Sequence, residues 1–269
     1  MRLLSFDPLR TFDIPGVRYL KPEWMFRHRA EIAESDWVLF PEYWQVNALV
    51  YGMGRRLFPS PASYHLGHDK PEMTRAFWAI CPQHVPETRI LASTDDAERR
   101  IPEEFDFPFV VKEPRSSMGR GVRRIDDAAA WRAYARSHPV LYVQEYLPID
   151  RDLRVVWVGD EVVTAYWRVG PPDAFHHNVA RGARILFDGV PDEPLALVTD
   201  VATRLGVDHA GFDLACVGGR WFLLEFNTLF GNQALTRAGI ALGPRIQALL
   251  ERRGAPAIDP DPRPLPRAG

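Results

Sequence analysis

The chain has 269 residues, with 33 Lys and Arg against 35 Asp and Glu for a net charge of −2. That length can bury a sizeable core, and the charge balance lacks the basic excess of a nucleic-acid binder, so no nucleic-acid partner is expected. Its two cysteines, Cys81 and Cys216, lie far apart in apolar surroundings, which argues against a disulfide framework or a Cys-rich zinc site and reads as reduced core thiols.

The opening Met1–Pro8 breaks too early for a signal peptide, and no apolar run is long enough to span a bilayer, so a cytoplasmic chain without a membrane partner is expected. Short apolar runs at Leu3 to Phe6 and Trp37 to Phe40 flank a stretch of helical spacing, predicting a small α/β unit over residues 1–66. Ser63 is the expected cap of a helix from Tyr64 to Ile80, which Cys81-Pro82 ends. Strands are predicted at Phe109 to Lys112 and Val122 to Ile125, then a helix capped by Asp126 or Asp127 and ending near Ser137, then a strand at Val140 to Tyr146. Gly159-Asp160 joins strands at Arg154 to Val158 and Val162 to Val169. A loop is expected over Pro171 to Arg184 and a helix over Glu193 to Leu205. A hairpin of Phe212 to Val217 with Trp221 to Asn227 and a helix over Pro244 to Arg253 complete the series. The Pro-rich stretch 255–269 has the composition of a disordered tail.

Two segments carry the chemistry. Lys112 ends an apolar strand and is followed by Ser116-Ser117-Met118-Gly119-Arg120-Gly121, a loop of small residues whose backbone N–H groups can approach a phosphate closely. Downstream, Asp213 and Glu225 emerge from apolar strands of the last hairpin. A three-residue turn, Gly218-Gly219-Arg220, would pair Asp213 with Glu225 and place Asn227 on the same face; a two-residue turn would put the acids on opposite faces. Buried like charges call for a cation, and an oxygen-only set of Asp, Glu and Asn suits Mg²⁺ better than zinc.

Other phosphate motifs are missing. There is no G-x-x-x-x-G-K-[ST] and no G-x-G-x-x-G after a strand. Protein kinases place their glycine loop before the lysine, and here the loop follows it.

In this order the motifs resemble the ATP-grasp ligases, most closely their RimK-like branch of glutamate and peptide ligases, over about residues 67–227. Gly67-His68-Asp69-Lys70 is similar to the family's opening Asp-Lys, implying Lys70 near the nucleotide. Lys112 and the loop through Ser116, Ser117, Met118, Gly119 and Gly121 resemble the second lysine and the phosphate flap. Gln144, Glu145, Tyr146 and Leu147 resemble the linker that meets adenine. Asp152-Leu153-Arg154-Val155 is similar to the family's Asp-Ile-Arg-Val, implying Asp152 near ribose and Arg154 near the reacting groups. Arg168 matches a second catalytic arginine, Asn178 the asparagine before an Arg-Gly-Gly, and Asp213, Glu225 and Asn227 the magnesium ligands. The sequence departs from the family pattern at His176-His177-Asn178 and at Ala183.

The resemblance implies an α/β ATP-grasp fold with a short N-terminal pre-ATP-grasp unit and an ATP-grasp domain over 67–254. That domain would comprise a lid at about 106–143 and an antiparallel core at about 144–254. It implies ATP with one or two Mg²⁺ ions, replaceable by Mn²⁺, and ADP-forming ligation of a carboxylate to an amine, on amino acids or peptides, through an acyl-phosphate. Lys112, Arg154 and Arg168 would be the catalytic cations. A homodimer, a small-molecule kinase on the same fold and an ATP-binding protein without turnover stay open.

Overall fold

The computed structural model describes residues 1–116, 121–170 and 183–254. The expectation of a disordered tail at 255–269 therefore lies outside the described residues. The chain divides into two compact units, Met1–Leu57 with the segment from Ala241 onward, and Phe58–Ile240. The second unit thus begins earlier than residue 67, and the helix Gly243–Arg253 groups with the N-terminal residues.

In the first unit, strands β1 (Leu3–Ser5), β2 (Val17–Tyr19), β3 (Trp37–Leu39) and β4 (Leu57–Phe58) form a sheet in the order β2-β1-β3-β4, with β1 parallel to both neighbours. Helices α1 (Pro8–Thr11), α2 (Arg29–Ala33) and α3 (Tyr43–Asn47) alternate with the strands. Asp7 starts α1 by accepting from the N–H groups of Leu9 and Arg10, with Pro8 at the position where a missing N–H costs nothing.

The second unit opens with α4 (Pro61–His68) and α5 (Lys70–Ile80). The single helix expected over 64–80 is two helices. Ser60, not Ser63, caps α4, and Asp69 sits in an extended conformation and caps α5 through Glu72 N–H. The break makes Lys70 the first residue of a helix.

Next come β5 (Thr88–Ala92), α6 (Asp95–Glu104), β6 (Phe109–Lys112), β7 (Val122–Ile125), α7 (Ala128–Ser137) and β8 (Val140–Glu145). The four strands form an antiparallel sheet in the order β5-β8-β6-β7. The sheet begins earlier than residue 106, the start expected for the lid, because β5 is its edge. Sequence pattern misses α6 because only Ala97 and Ile101 of its residues are buried and Pro102 lies inside it. Asp127 caps α7. Phe109, Val111, Leu141 and Val143 face Ile101 of α6 and Trp131 of α7, so strand alternation turns Val110, Lys112, Tyr142 and Gln144 to the other face.

The core follows: β9 (Asp152–Val158), β10 (Glu161–Val169), β11 (Arg184–Leu186), α8 (Asp192–Leu205), β12 (His209–Val217), β13 (Arg220–Asn227) and α9 (Gln233–Arg237). Arg184, expected in a loop, starts a strand. The sheet is antiparallel throughout, in the order β11-β10-β9-β12-β13. Leu153, Val155, Trp157, Phe212, Leu214, Leu223 and Phe226 pack on Met73 and Phe77 of α5 and on Val198, Val201 and Ala202 of α8. The opposite face is left for charged side chains.

The last hairpin differs from its predicted geometry. Its turn has two residues, Gly218 and Gly219, both at positive φ, and Val217 pairs with Arg220. A β-bulge then inserts Leu224, so that Leu214 pairs with Leu223 but Asp213 still pairs with Glu225. The acids share a face through the bulge, not through a longer turn. The bulge also lets Leu223 lie with the core while Glu225 lies with the site. Of the two thiols, Cys81 is buried, but Cys216, near the hairpin tip, is exposed and is not a core residue.

Candidate active site

Register alone places the charges of the core sheet. Tyr166 of β10 is opposite Arg154 of β9, Arg154 is opposite Asp213 of β12, and Asp213 is opposite Glu225 of β13. Asp152 and Arg168, themselves a pair, lie two residues away on the same face, and Asn227 lies two beyond Glu225. Asp152, Arg154, Arg168 and Asp213 are all buried.

These four form one closed set of ion pairs. Arg154 donates Nε–H to Asp213 Oδ1 and Nη2–H to Asp213 Oδ2 at 2.9 Å. Arg168 donates Nε–H to Asp152 Oδ1 at 2.5 Å, and its Nη2 lies 3.0 Å from Asp213 Oδ2. Burial would raise the Asp213 carboxyl, but the two guanidiniums overcome it and hold the group below the usual carboxylate range. Burial pushes Asp152 up to about 6, against the pull of Arg168. Gly211 makes room for the set, since a Cβ there would sit 2.6 Å from Arg154 Nη1 and 2.9 Å from its Cδ.

Lys112 ends β6 of the four-stranded antiparallel sheet. Its Nζ lies 5.7 Å from the centroid of the Tyr142 ring and makes no hydrogen bond or ion pair among the described residues. Burial pulls its pKa down to about 8; Glu225 and Asp213 oppose this and Lys70 adds to it. Tyr142 shares a hydroxyl hydrogen bond of 2.8 Å with Thr74 of α5, and Gln144 Nε2 donates to Thr88 Oγ1 at 2.8 Å.

Lys70 joins the two halves. Its Nζ donates to the Ser116 carbonyl at 2.6 Å and lies 3.4 Å from Glu225 Oε2, while Asn227 Nδ2 donates to Glu225 Oε1 at 3.2 Å. At the base of the small-residue loop, Glu113 N–H donates to Gly121 O at 2.7 Å, and a Cβ on Gly121 would strike Ser116 Oγ. Lys70, Lys112, Arg154, Arg168, Asp213, Glu225 and Asn227 are therefore brought together. Glu145 instead accepts from Glu87 N–H at 2.7 Å, Tyr146 lies under the Arg124 guanidinium, and the Leu147 carbonyl accepts from Ile149 N–H at 2.9 Å. Ser117, Met118, Gly119 and Asn178 lie outside the described residues, as do His176 and His177.

The donor set fits a hard divalent cation. Among the described residues no three His, Cys, Asp or Glu side chains could hold a metal by themselves, so Asp213 and Glu225 would need Asn227 and ligand oxygens to complete the shell. The Lys112 ammonium, without a hydrogen bond or ion pair among the described residues, fits an anion. Sequence reasoning missed Tyr142, Tyr166 and Gly211, whose only signal is their place on strands beside recognised residues.

The model of the RimK-like ATP-grasp domain matches residues 74–250, and the chain belongs to that family. A probable alpha-L-glutamate ligase of Klebsiella pneumoniae (strain 342) is 29% identical over 179 residues, covering 64% of this chain and 60% of the relative. The chain thus spans about 60% of the length of such curated relatives. In fold, the ATP-grasp ligase PsnB complexed with minimal precursor superposes with a TM-score of 0.70 at 17% identity, over 94% of this chain and 98% of that one. The RimK domain protein ATP-grasp of Sphaerobacter thermophilus DSM 20745 gives 0.64 at 18%, over 81% and 82%. No helix among the described residues is long and apolar enough to cross a membrane.

Proposed function

We infer that this protein is a Mg-ATP-dependent ligase that joins a carboxylate to an amine, on amino-acid or peptide-like substrates, through an acyl-phosphate. The observation that carries this reading is the buried Lys112 ammonium, without an ion pair among the described residues, beside Glu225 and Asp213 of a different sheet. A cation in that position is stabilised by the phosphate oxygens of a bound nucleotide. The relatives named glutamate ligases, and the structure of PsnB with precursor, Mg and ADP, support the substrate class and the cofactors.

In this reaction a substrate carboxylate oxygen attacks the γ-phosphorus of ATP, the bond to the β–γ bridging oxygen breaks, and ADP leaves. The amine nitrogen then attacks the acyl carbon, the bond from that carbon to the phosphate oxygen breaks, and the amine proton passes to solvent. Lys112 and Lys70 hold phosphate oxygens, and Arg154 and Arg168 transfer donors from Asp213 and Asp152 to the phosphoryl group in flight. A divalent ion on Asp213, Glu225 and Asn227 would supply charge neutralisation for the phosphates. No side-chain nucleophile is required; the residues bind, orient and neutralise.

An ADP-release screen across amino acids and short peptides, followed by mass analysis, tests the reading. The expected result is ADP, phosphate and an amide product, with Lys112→Ala or Glu225→Gln lowering turnover by about two orders of magnitude or more. A phosphorylated product would assign a kinase. Tight Mg-ATP binding without ADP from any acceptor would assign a binding protein.

A further inference from the structure

Tyr166 is a buried residue at the centre of the charged row, yet its hydroxyl makes no hydrogen bond among the described residues. The ring leans on Phe187, with centroids 5.8 Å apart, and Phe187 continues the row onto the chain beyond β11. Arg154, Arg168, Asp213 and Asp152 all act on the Tyr166 hydroxyl electrostatically, and burial keeps it protonated above its ordinary pKa, so it is a donor at neutral pH.

A phenylalanine would fill the same space beside Phe187 without desolvating a hydroxyl, and an unpaired hydroxyl in such a position is destabilising. The neighbouring guanidiniums have donors to match. Arg154 and Arg168 commit Nε and Nη2 to Asp213 and Asp152, leaving Nη1 of each without a hydrogen bond among the described residues. Three uncommitted donors thus lie on one face of the sheet, beside the acids that would hold the cation. A phosphoryl group carries several terminal oxygens and can accept all three donors at once.

We propose that the Tyr166 hydroxyl is a further catalytic residue, donating a hydrogen bond to an oxygen of the phosphoryl group that Arg154 and Arg168 receive. The assignment rests on the ligase reading for its role in turnover, but not for the anion contact itself.

The test is calorimetric titration of the full chain and of Tyr166→Phe with inorganic phosphate, with and without Mg-ADP, and with acetate as the carboxylate probe. Expected are a phosphate Kd raised about tenfold by the substitution, with Mg-ADP affinity unchanged and a melting temperature no lower than that of the wild type. Equal phosphate affinity in the two proteins, or no phosphate binding by the wild type in either condition, overturns the proposal. Loss of acetate binding with phosphate unchanged also overturns it, assigning the hydroxyl to the substrate carboxylate instead. Failure of the wild type to bind Mg-ADP sinks the ligase reading, while the phosphate comparison without nucleotide still decides Tyr166.

Discussion

Lys112 shows how a functional position opposes stability. Its proton is held more weakly in the folded chain, at about 8, than at the ordinary 10.5, because burial removes the ammonium from water. Between those values the unfolded chain binds more protons, so stability rises with pH across that window, and the cost is fully present below pH 8. Lys112→Met is therefore expected to stabilise the nucleotide-free protein at pH 7 by on the order of 2–3 kcal/mol. The gain should shrink as pH rises toward 10.5. Urea denaturation at pH 7 and pH 10 checks this, and a variant destabilised at pH 7, or one whose gain ignores pH, contradicts it. The residue itself was legible, since a lysine ending an apolar strand before a small-residue loop is conspicuous. Its state was not, because burial and the charges of Glu225, Lys70 and Asp213 set it, and only folding brings these together.

At the scale of elements, the β12–β13 hairpin shows pattern and geometry diverging. A shared metal site requires Asp213 and Glu225 on one face, and alternation alone would then demand a three-residue turn; the turn has two residues, and the bulged Leu224 brings the acids together instead. Removing Leu224 would leave Leu223 facing the core and Glu225 and Asn227 facing the site, in an unbroken ladder. Deletion of Leu224 is accordingly expected to keep Mg-nucleotide affinity within about tenfold of wild type, a change of about 1.4 kcal/mol or less. Loss of detectable binding in a folded deletion variant would show that the bulge itself shapes the site. The split between α4 and α5 has a similar origin. Asp69 and Ser60 are good caps in sequence, yet the periodic apolar spacing runs on across them, and only the cap hydrogen bonds reveal the break. The strand β5 and helix α6 escaped notice because they are short or mostly solvated, with few buried residues to mark a period.

Across the molecule, the second unit is built from two sheets that each bury one face against helices and leave the other to charge. In the nucleotide-free chain, Asp213 already has both oxygens taken by Arg154 and Arg168. A divalent cation alone would have to displace buried guanidiniums, leaving them without partners at a cost of about 3–5 kcal/mol. On the proposed reading, phosphate oxygens would remove that cost by receiving the arginines. Thermal melts are thus expected to show no shift with millimolar Mn²⁺ alone and a rise of several degrees with Mn²⁺ and ATP together, following the mass-action stabilisation of the bound state. An equal rise with the ion alone would mean that the arginines do not close the site.

The sequence by itself determined the order of the motifs, the residue types and the alternation along each strand. Those features are local and periodic, and with the family resemblance of the motif order they were enough to place the chain in its fold class. Tertiary structure alone decided which charges neutralise one another, which donors stay uncommitted, and where the bulge restores the register. These depend on distances between strands far apart in the chain, and on how much water folding removes from each group.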